Sequence, residues 1–243
     1  MFINFSEIPK HHNLFLDYLY EFENVAEYFK HDFRNKDGYL PLFKDIVESK
    51  KNKSFVISPI LKNQYSSFNN ISEKTLRNIS SLDDAKTIAV VTGQQLGILG
   101  GPLYTLYKII TTIRLANQLS ERYEEYNFIP VFWMEADDHD FNEVRSVNLF
   151  DNENQVINIG YKEQISDDDS KQSMGKINFD ESLNDFLNQF ENSLRDTDFK
   201  NDLLLKIKEC YKVGISFKQS FNNYCSGFLM STELLFLIRR MQK

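Results

Sequence analysis

Hydrophobic positions divide the chain into a helical front, a strand-bearing middle and a mixed rear. Between Asn13 and Phe29 the residues Leu14, Leu16, Tyr18, Leu19, Phe22, Val25 and Tyr28 recur at helical spacing, which predicts an aromatic-rich amphipathic helix. Shorter polar helical segments follow around Leu42–Ser49 and Glu73–Ser80. Thr87-Ile88-Ala89-Val90-Val91 is a β-branched apolar run, the pattern of a strand buried on both faces. A glycine-rich stretch leads into a helix marked by Leu106, Ile109, Ile110, Ile113 and Leu115. After the charged turn Glu121–Glu125 comes a second buried strand, Phe128–Met134, whose Pro130 places it near an edge or bulge. Strand, loop, helix and strand in this order make a βαβ unit, so an α/β fold with a parallel sheet is expected.

Beyond Asn148 the period falls to two, with Val156, Ile157, Ile159 and Tyr161 and then Met174, Ile177 and Phe179. Asp167-Asp168-Asp169 separates the two runs, which predicts a hairpin between them. Leu183, Phe186, Leu187, Phe190 and Leu194 mark an amphipathic helix, and Leu203–Ile207 a second. The chain therefore divides into a helical region, 1–84, a βαβ core, 85–150, an inserted α+β connecting segment, 151–213, and the start of a second core half, 214–243. There is no internal repeat and no low-complexity linker.

Composition narrows the class. Hydrophobic residues make up 42% and aromatics 14%, enough for a packed core, and the charges are mixed rather than blocky. A net charge of -7 argues against general binding to nucleic acid or anionic membranes. Cys210 and Cys225 suggest neither a disulfide framework nor a zinc ribbon, which fits a reducing compartment. Met1–Phe5 has no basic lead into an apolar stretch, and Lys108 interrupts the best internal apolar run. A cytoplasmic protein is expected.

Two stretches carry chemistry. In Thr92–Lys108, four of the nine glycines stand between a strand and a helix, where open α/β sheets bind ligands. Glycine lets the backbone approach an anion, and free N–H groups at a helix start favour negative charge. Gly93, Gln94, Gln95, Gly97, Gly101, Pro102, Tyr104, Thr105 and Lys108 are the candidate binding residues, with Trp133 as a pocket wall. Thr105, Lys108 and Thr112 are expected on one helix face, so that Lys108 adds positive charge. The spacing matches neither a P-loop nor the dinucleotide signature, and the same glycines would also serve tight strand–helix packing.

The second stretch, Phe132–Glu143, follows the second strand. His139 stands among Asp138, Asp140 and Glu143, and a flanking carboxylate raises an imidazole's pKa and fixes its tautomer, as a general base requires. Glu143 shares a face with His139 if a helix starts here. An acidic turn that N-caps the next helix, or a simple ion pair, is the competing reading. A metal site of carboxylates and His139 would lack paired-histidine spacing, so no metal is assigned.

Taken together, Thr92-Gly93-Gln94-Gln95 with Gly101–Lys108, followed by Pro130-Val131-Phe132-Trp133 and Asp138-His139-Asp140-Phe141-Asn142-Glu143, resemble the bacillithiol biosynthesis cysteine-adding enzymes. The resemblance is weaker from the start of the chain through Phe221, and Glu135-Ala136-Asp137 departs from the family's usual residues. It implies an incomplete Rossmann-like core here, with the family's dimer-forming coiled coil beyond it. It also implies amide formation between cysteine and glucosaminyl-malate, with ATP or another nucleotide, together with its Mg, activating the carboxyl. A nucleotide- or anion-binding remnant without catalysis, and a metal-dependent hydrolase, are the alternatives.

From Cys225 onward the sequence stops resembling the family. Shifting the frame of an A/T-rich back-translation of the stretch ending at Lys243 gives Phe-Asn-Glu-Tyr-Gly-Ile-Ile-Val-Phe-Asp-Pro-Lys-Asn-Ala-Glu, which does resemble it. A frameshift near Tyr224 that truncates the protein is therefore expected. Leu234, Leu235, Phe236, Leu237 and Ile238 would then pack only opportunistically.

Overall fold

The front of the chain folds as two helices joined by turns, not as the single long helix that the spacing predicts. In the computed structural model, which describes residues 3–51, 57–66, 71–137, 140–162, 166, 172–228 and 234–238, helix α1 (Asn13–Tyr20) stops at Glu21. There φ is -133° and the Glu21 N–H closes on Asp17 O. A 3-10 turn, Phe22–Asn24, follows, and Phe22 and Val25 are nevertheless buried. The aromatic spacing reports a cluster rather than a continuous helix: the Tyr18 ring lies 4.7 Å from Phe29 and 5.2 Å from Phe33. Helix α2 (Tyr39–Lys51) completes this first compact unit, residues 1–55.

The second unit, residues 56–243, holds the sheet. Helix α3 (Ser58–Tyr65) begins with a proline in its first turn, and α4 (Glu73–Ser81) is capped by Ser72, whose Oγ accepts from Thr75 N–H at 3.0 Å. Strand β1 (Thr87–Gln95), helix α5 (Tyr104–Arg122) and strand β2 (Asn127–Glu135) form the expected βαβ unit, with β1 and β2 parallel and α5 packed on both. The two strands differ in burial. Phe128 through Phe132 are buried without a break, as expected, but β1 is an edge strand whose Ala89 and Val91 are exposed. An uninterrupted apolar run marks a strand; it does not fix how many of its faces are covered.

Helix α6 (Phe141–Val144) is a single turn. The hairpin that follows is not the expected one, because Val156–Gly160 (β4) pairs backwards with Ser146–Phe150 (β3). Asp151 makes that turn, its Oδ1 accepting from the N–H groups of Glu153 and Gln155, both at 2.8 Å. Met174–Lys176 is instead a 3-10 turn, and Asn178 bridges Ser216. Helices α7 (Ser182–Ser193), α8 (Lys200–Cys210) and α9 (Phe217–Phe228) pack around Tyr161, Phe179 and Phe217, and the last two rings stack at 4.1 Å.

The tail does more than pack opportunistically. Leu235–Ile238 forms β5, parallel to Val131–Met134, giving the order β1-β2-β5. Because β5 begins opposite Val131, Pro130 lies just outside its reach, where a missing N–H loses no bond on that side. The outer side of β5 is met by α3. Tyr65 Oη accepts from Phe236 N–H at 2.7 Å, and Gln64 Nε2 donates to Phe236 O at 3.5 Å. Among the described residues no helix is long and apolar enough to cross a membrane.

Candidate functional site

Parallel pairing brings the carboxyl ends of β1 and β2 side by side, and both sequence motifs leave the sheet there. Gly93 faces Trp133 and Gln95 faces Glu135. A Cβ on Gly93 would stand 2.7 Å from Trp133 O, so the two backbones approach this closely only with glycine. Leu96 N–H then donates to Glu135 O at 3.3 Å before the chain turns through Ile98–Gly100.

That turn is strained. Leu99 has φ 52° and ψ 33°, and Gly100 and Gly101 also have positive φ. The left-handed region costs a residue with a Cβ roughly 1–2 kcal/mol, and burial of the Leu99 side chain holds it there. A Cβ on Gly97 would lie 2.6 Å from Gly101 Cα, so the loop folds back on itself. Its concave side meets the start of α5, the positive end of that helix. Thr105, wholly buried in the first turn, has its Oγ1 3.9 Å from where a Gly101 Cβ would be, and among the described residues that oxygen has no hydrogen-bond partner.

The expected face of Thr105, Lys108 and Thr112 divides. Thr105 and Thr112 lie in the buried stripe with Ile109 and Ala116, and Thr112 Oγ1 donates to Lys108 O at 2.8 Å. Lys108 is exposed on the flank. Its Nζ lies 4.7 Å from the centre of the Tyr104 ring and donates to Gln94 Oε1 at 2.9 Å and to Gly93 O at 3.5 Å. Among the described residues it has no carboxylate partner, so its charge remains available at the loop. Pro102 and Tyr104 are exposed beside it.

The second motif is tied to the first by side chains. Gln95 Nε2 donates to Glu143 Oε2 at 3.3 Å. Asp140 Oδ1 accepts from Glu143 N–H at 3.2 Å, so Asp140 serves as the N-cap of α6, as the competing reading had it. Helix α6 begins at Phe141 and carries Glu143, while the face expected to be shared with position 139 falls outside the described residues. Asp138 and His139 lie outside the described residues. Trp133, about 39% exposed, donates from Nε1 to Glu135 Oε2 at 3.4 Å, and Glu135 Oε1 accepts from Asp137 N–H at 3.4 Å. Sequence reasoning missed Glu135 as a brace of the strand end; its signal was its place at the last residue of β2.

Behind the loop, a Cβ on Gly100 would stand 2.6 Å from Tyr224 Cε1. Burial, with smaller contributions from Cys225 and Cys210, pushes the Tyr224 hydroxyl up to about 12, so it is a neutral wall and not an acid–base group. Burial pushes the Cys225 thiol up as well. No group of three or more His, Cys, Asp or Glu side chains placed to hold a metal occurs among the described residues. The arrangement is one that can hold an anionic oxygen between a glycine turn, a helix start and a lysine, with carboxylates a short distance along the same rim.

Comparison with known proteins supplies a family for this geometry. Residues 1–240 match the family model of the bacillithiol biosynthesis BshC N-terminal Rossmann-like domain. A relative in Chlorobaculum tepidum is 34% identical over 232 residues, covering 92% of this chain. One in Salinibacter ruber is 28% identical over 225 residues, covering 93%. A third, in Flavobacterium johnsoniae, is 47% identical over 89 residues, covering 37% of this chain and 17% of the relative. Each carries the provisional name cysteine ligase BshC. The chain spans about 40% of the length of the first two relatives.

Proposed function

We propose, from the premise that this chain belongs to the bacillithiol biosynthesis BshC family, that it forms the front part of a ligase joining the carboxyl of cysteine to the amine of glucosaminyl-malate. The observation that carries this reading is the side-by-side exit of the glycine loop and the acidic motif from adjacent parallel strands. Amide formation at neutral pH needs both things such a rim offers: a cradle for an anionic group and a neighbouring base for the amine proton.

In this reading Gly97, Gly101, the unpartnered Thr105 hydroxyl and Lys108 bind an oxyanion, and Gln94 and Gln95 hold Lys108 and Glu143 in place. The same residues suit a phosphate, so ATP or another nucleotide is the proposed source of carboxyl activation. His139, flanked by Asp138 and Asp140, would accept the proton as the amine attacks the acyl phosphate or adenylate, whose acyl–oxygen bond breaks to release phosphate or the nucleoside monophosphate. We also propose that the reading frame slips near Tyr224; resequencing that finds an intact codon series would refute the slip.

The test measures bacillithiol by mass spectrometry in cells that rely on this gene alone, and product formation by the purified protein from cysteine, glucosaminyl-malate and ATP. His139→Ala is expected to cut product formation at least about 100-fold while leaving the unfolding midpoint unchanged. Full activity in that variant would refute the role.

A further inference from the structure

A second polar cleft lies away from the sheet rim, between the β3–β4 hairpin and α7. It measures about 400 Å³ and is lined by Arg145, Asn158, Lys162, Ser182, Asp185 and Gln189, within the size range of small-molecule sites. Its walls are fixed by the fold. Arg145 Nε donates to Asn142 Oδ1 at 3.2 Å and Nη1 donates to Lys162 O, so two of its donors hold the guanidinium in one orientation. Gly160 makes room for it, since a Cβ there would stand 2.7 Å from Arg145 Nη1. Lys162, at φ 60°, is held by Asp180 at 2.5 Å. Arg145 Nη2 has no acceptor among the described residues.

We infer that this cleft is a second ligand site, binding the oxyanion end, carboxylate or phosphate, of a small hydroxyl-bearing molecule through Arg145. A pre-oriented guanidinium loses little freedom when it binds a planar oxyanion. Gln189 offers an amide for a hydroxyl group, and Asn158, whose Nδ2 donates to Asn148 at 2.9 Å and to Ser146 at 3.2 Å, offers its amide oxygen. Asp185 opposes the anion, so affinity is modest and depends on this one carboxylate. Because Asn142 lies on α6, occupancy would brace the helix that carries Glu143 to Gln95.

The inference is tested by calorimetric titration of the full 1–243 chain with inorganic phosphate and, separately, succinate, against chloride at matched ionic strength. Which of the two binds more tightly identifies the class of oxyanion. In the Lys108→Met background, which removes the glycine loop's cation, saturable uptake is expected to persist, weakened at least tenfold by Arg145→Gln and tightened about threefold by Asp185→Asn through removal of a repelling charge. Uptake lost in Lys108→Met but kept in Arg145→Gln would assign the anion to the glycine loop and overturn the second site while sparing the proposed function. Unchanged affinity in Asp185→Asn, or no saturable uptake by either anion, would also overturn it. If circular dichroism shows Arg145→Gln unfolded, the exposed Asp185→Asn decides alone.

Discussion

At the residue scale, Thr105 separates folding from binding. A buried hydroxyl without a partner destabilises a fold by about 1–3 kcal/mol, so Thr105→Val, of nearly the same shape, is expected to raise stability in urea by about 1 kcal/mol. If the hydroxyl serves a ligand oxygen, the same variant weakens phosphate binding at the loop, read by titration. A Thr105→Val protein that is both less stable and unchanged in binding would sink that role. Asp180 offers a second test. Partial burial raises its carboxyl, but the bonds from Lys162, Tyr161 and Ser182 outweigh this and bring it down to about 2. A carboxyl held below its unfolded value of 3.8 adds stability that is present above that pH and lost as pH falls toward 2. Asp180 is half exposed, so the effect is below about 1 kcal/mol, or roughly 2 °C in Tm. Asp180→Asn should lower Tm by that amount at pH 7 and by clearly less near pH 2, where the folded carboxyl is half protonated, as thermal melts at both pH values would show.

At the element scale, the sheet was partly legible. The apolar run 128–134 specified β2 and its burial, because a central strand needs apolar residues on both faces. The run 87–91 looked the same yet became an edge strand, since the composition of a strand does not record how many neighbours it acquires. The period-two stretch after Asn148 was visible, but its partner was not: Asp151's side chain closes a turn upstream and pairs the stretch with Ser146–Phe150. In the site, the glycine loop was legible because Gly93 and Gly97 answer to backbone approach and Gly101 to a positive φ. The separation of Lys108 from Thr105 and Thr112 was not, because spacing alone does not say which flank a side chain takes. The outer side of β5 yields the next prediction. Tyr65→Phe leaves the buried Phe236 N–H without its acceptor, at a cost of about 1–3 kcal/mol. Urea unfolding measures it, and an unchanged midpoint would mean that water replaces the phenol.

At the scale of the whole molecule, the family was readable from two motifs in order, whereas the place of the tail was not. Its five apolar residues, Leu234 to Ile238, carry no label of which strand they will join, and only β2's uncommitted side selects them. The bond from Tyr65 to Phe236 spans 171 positions of sequence. A nascent chain emerging from the ribosome therefore cannot fasten β5 until residue 238 is free, and until then that side of β2 offers bare amides. Closing a contact of such sequence separation costs loop entropy, which slows the completion of this side of the sheet.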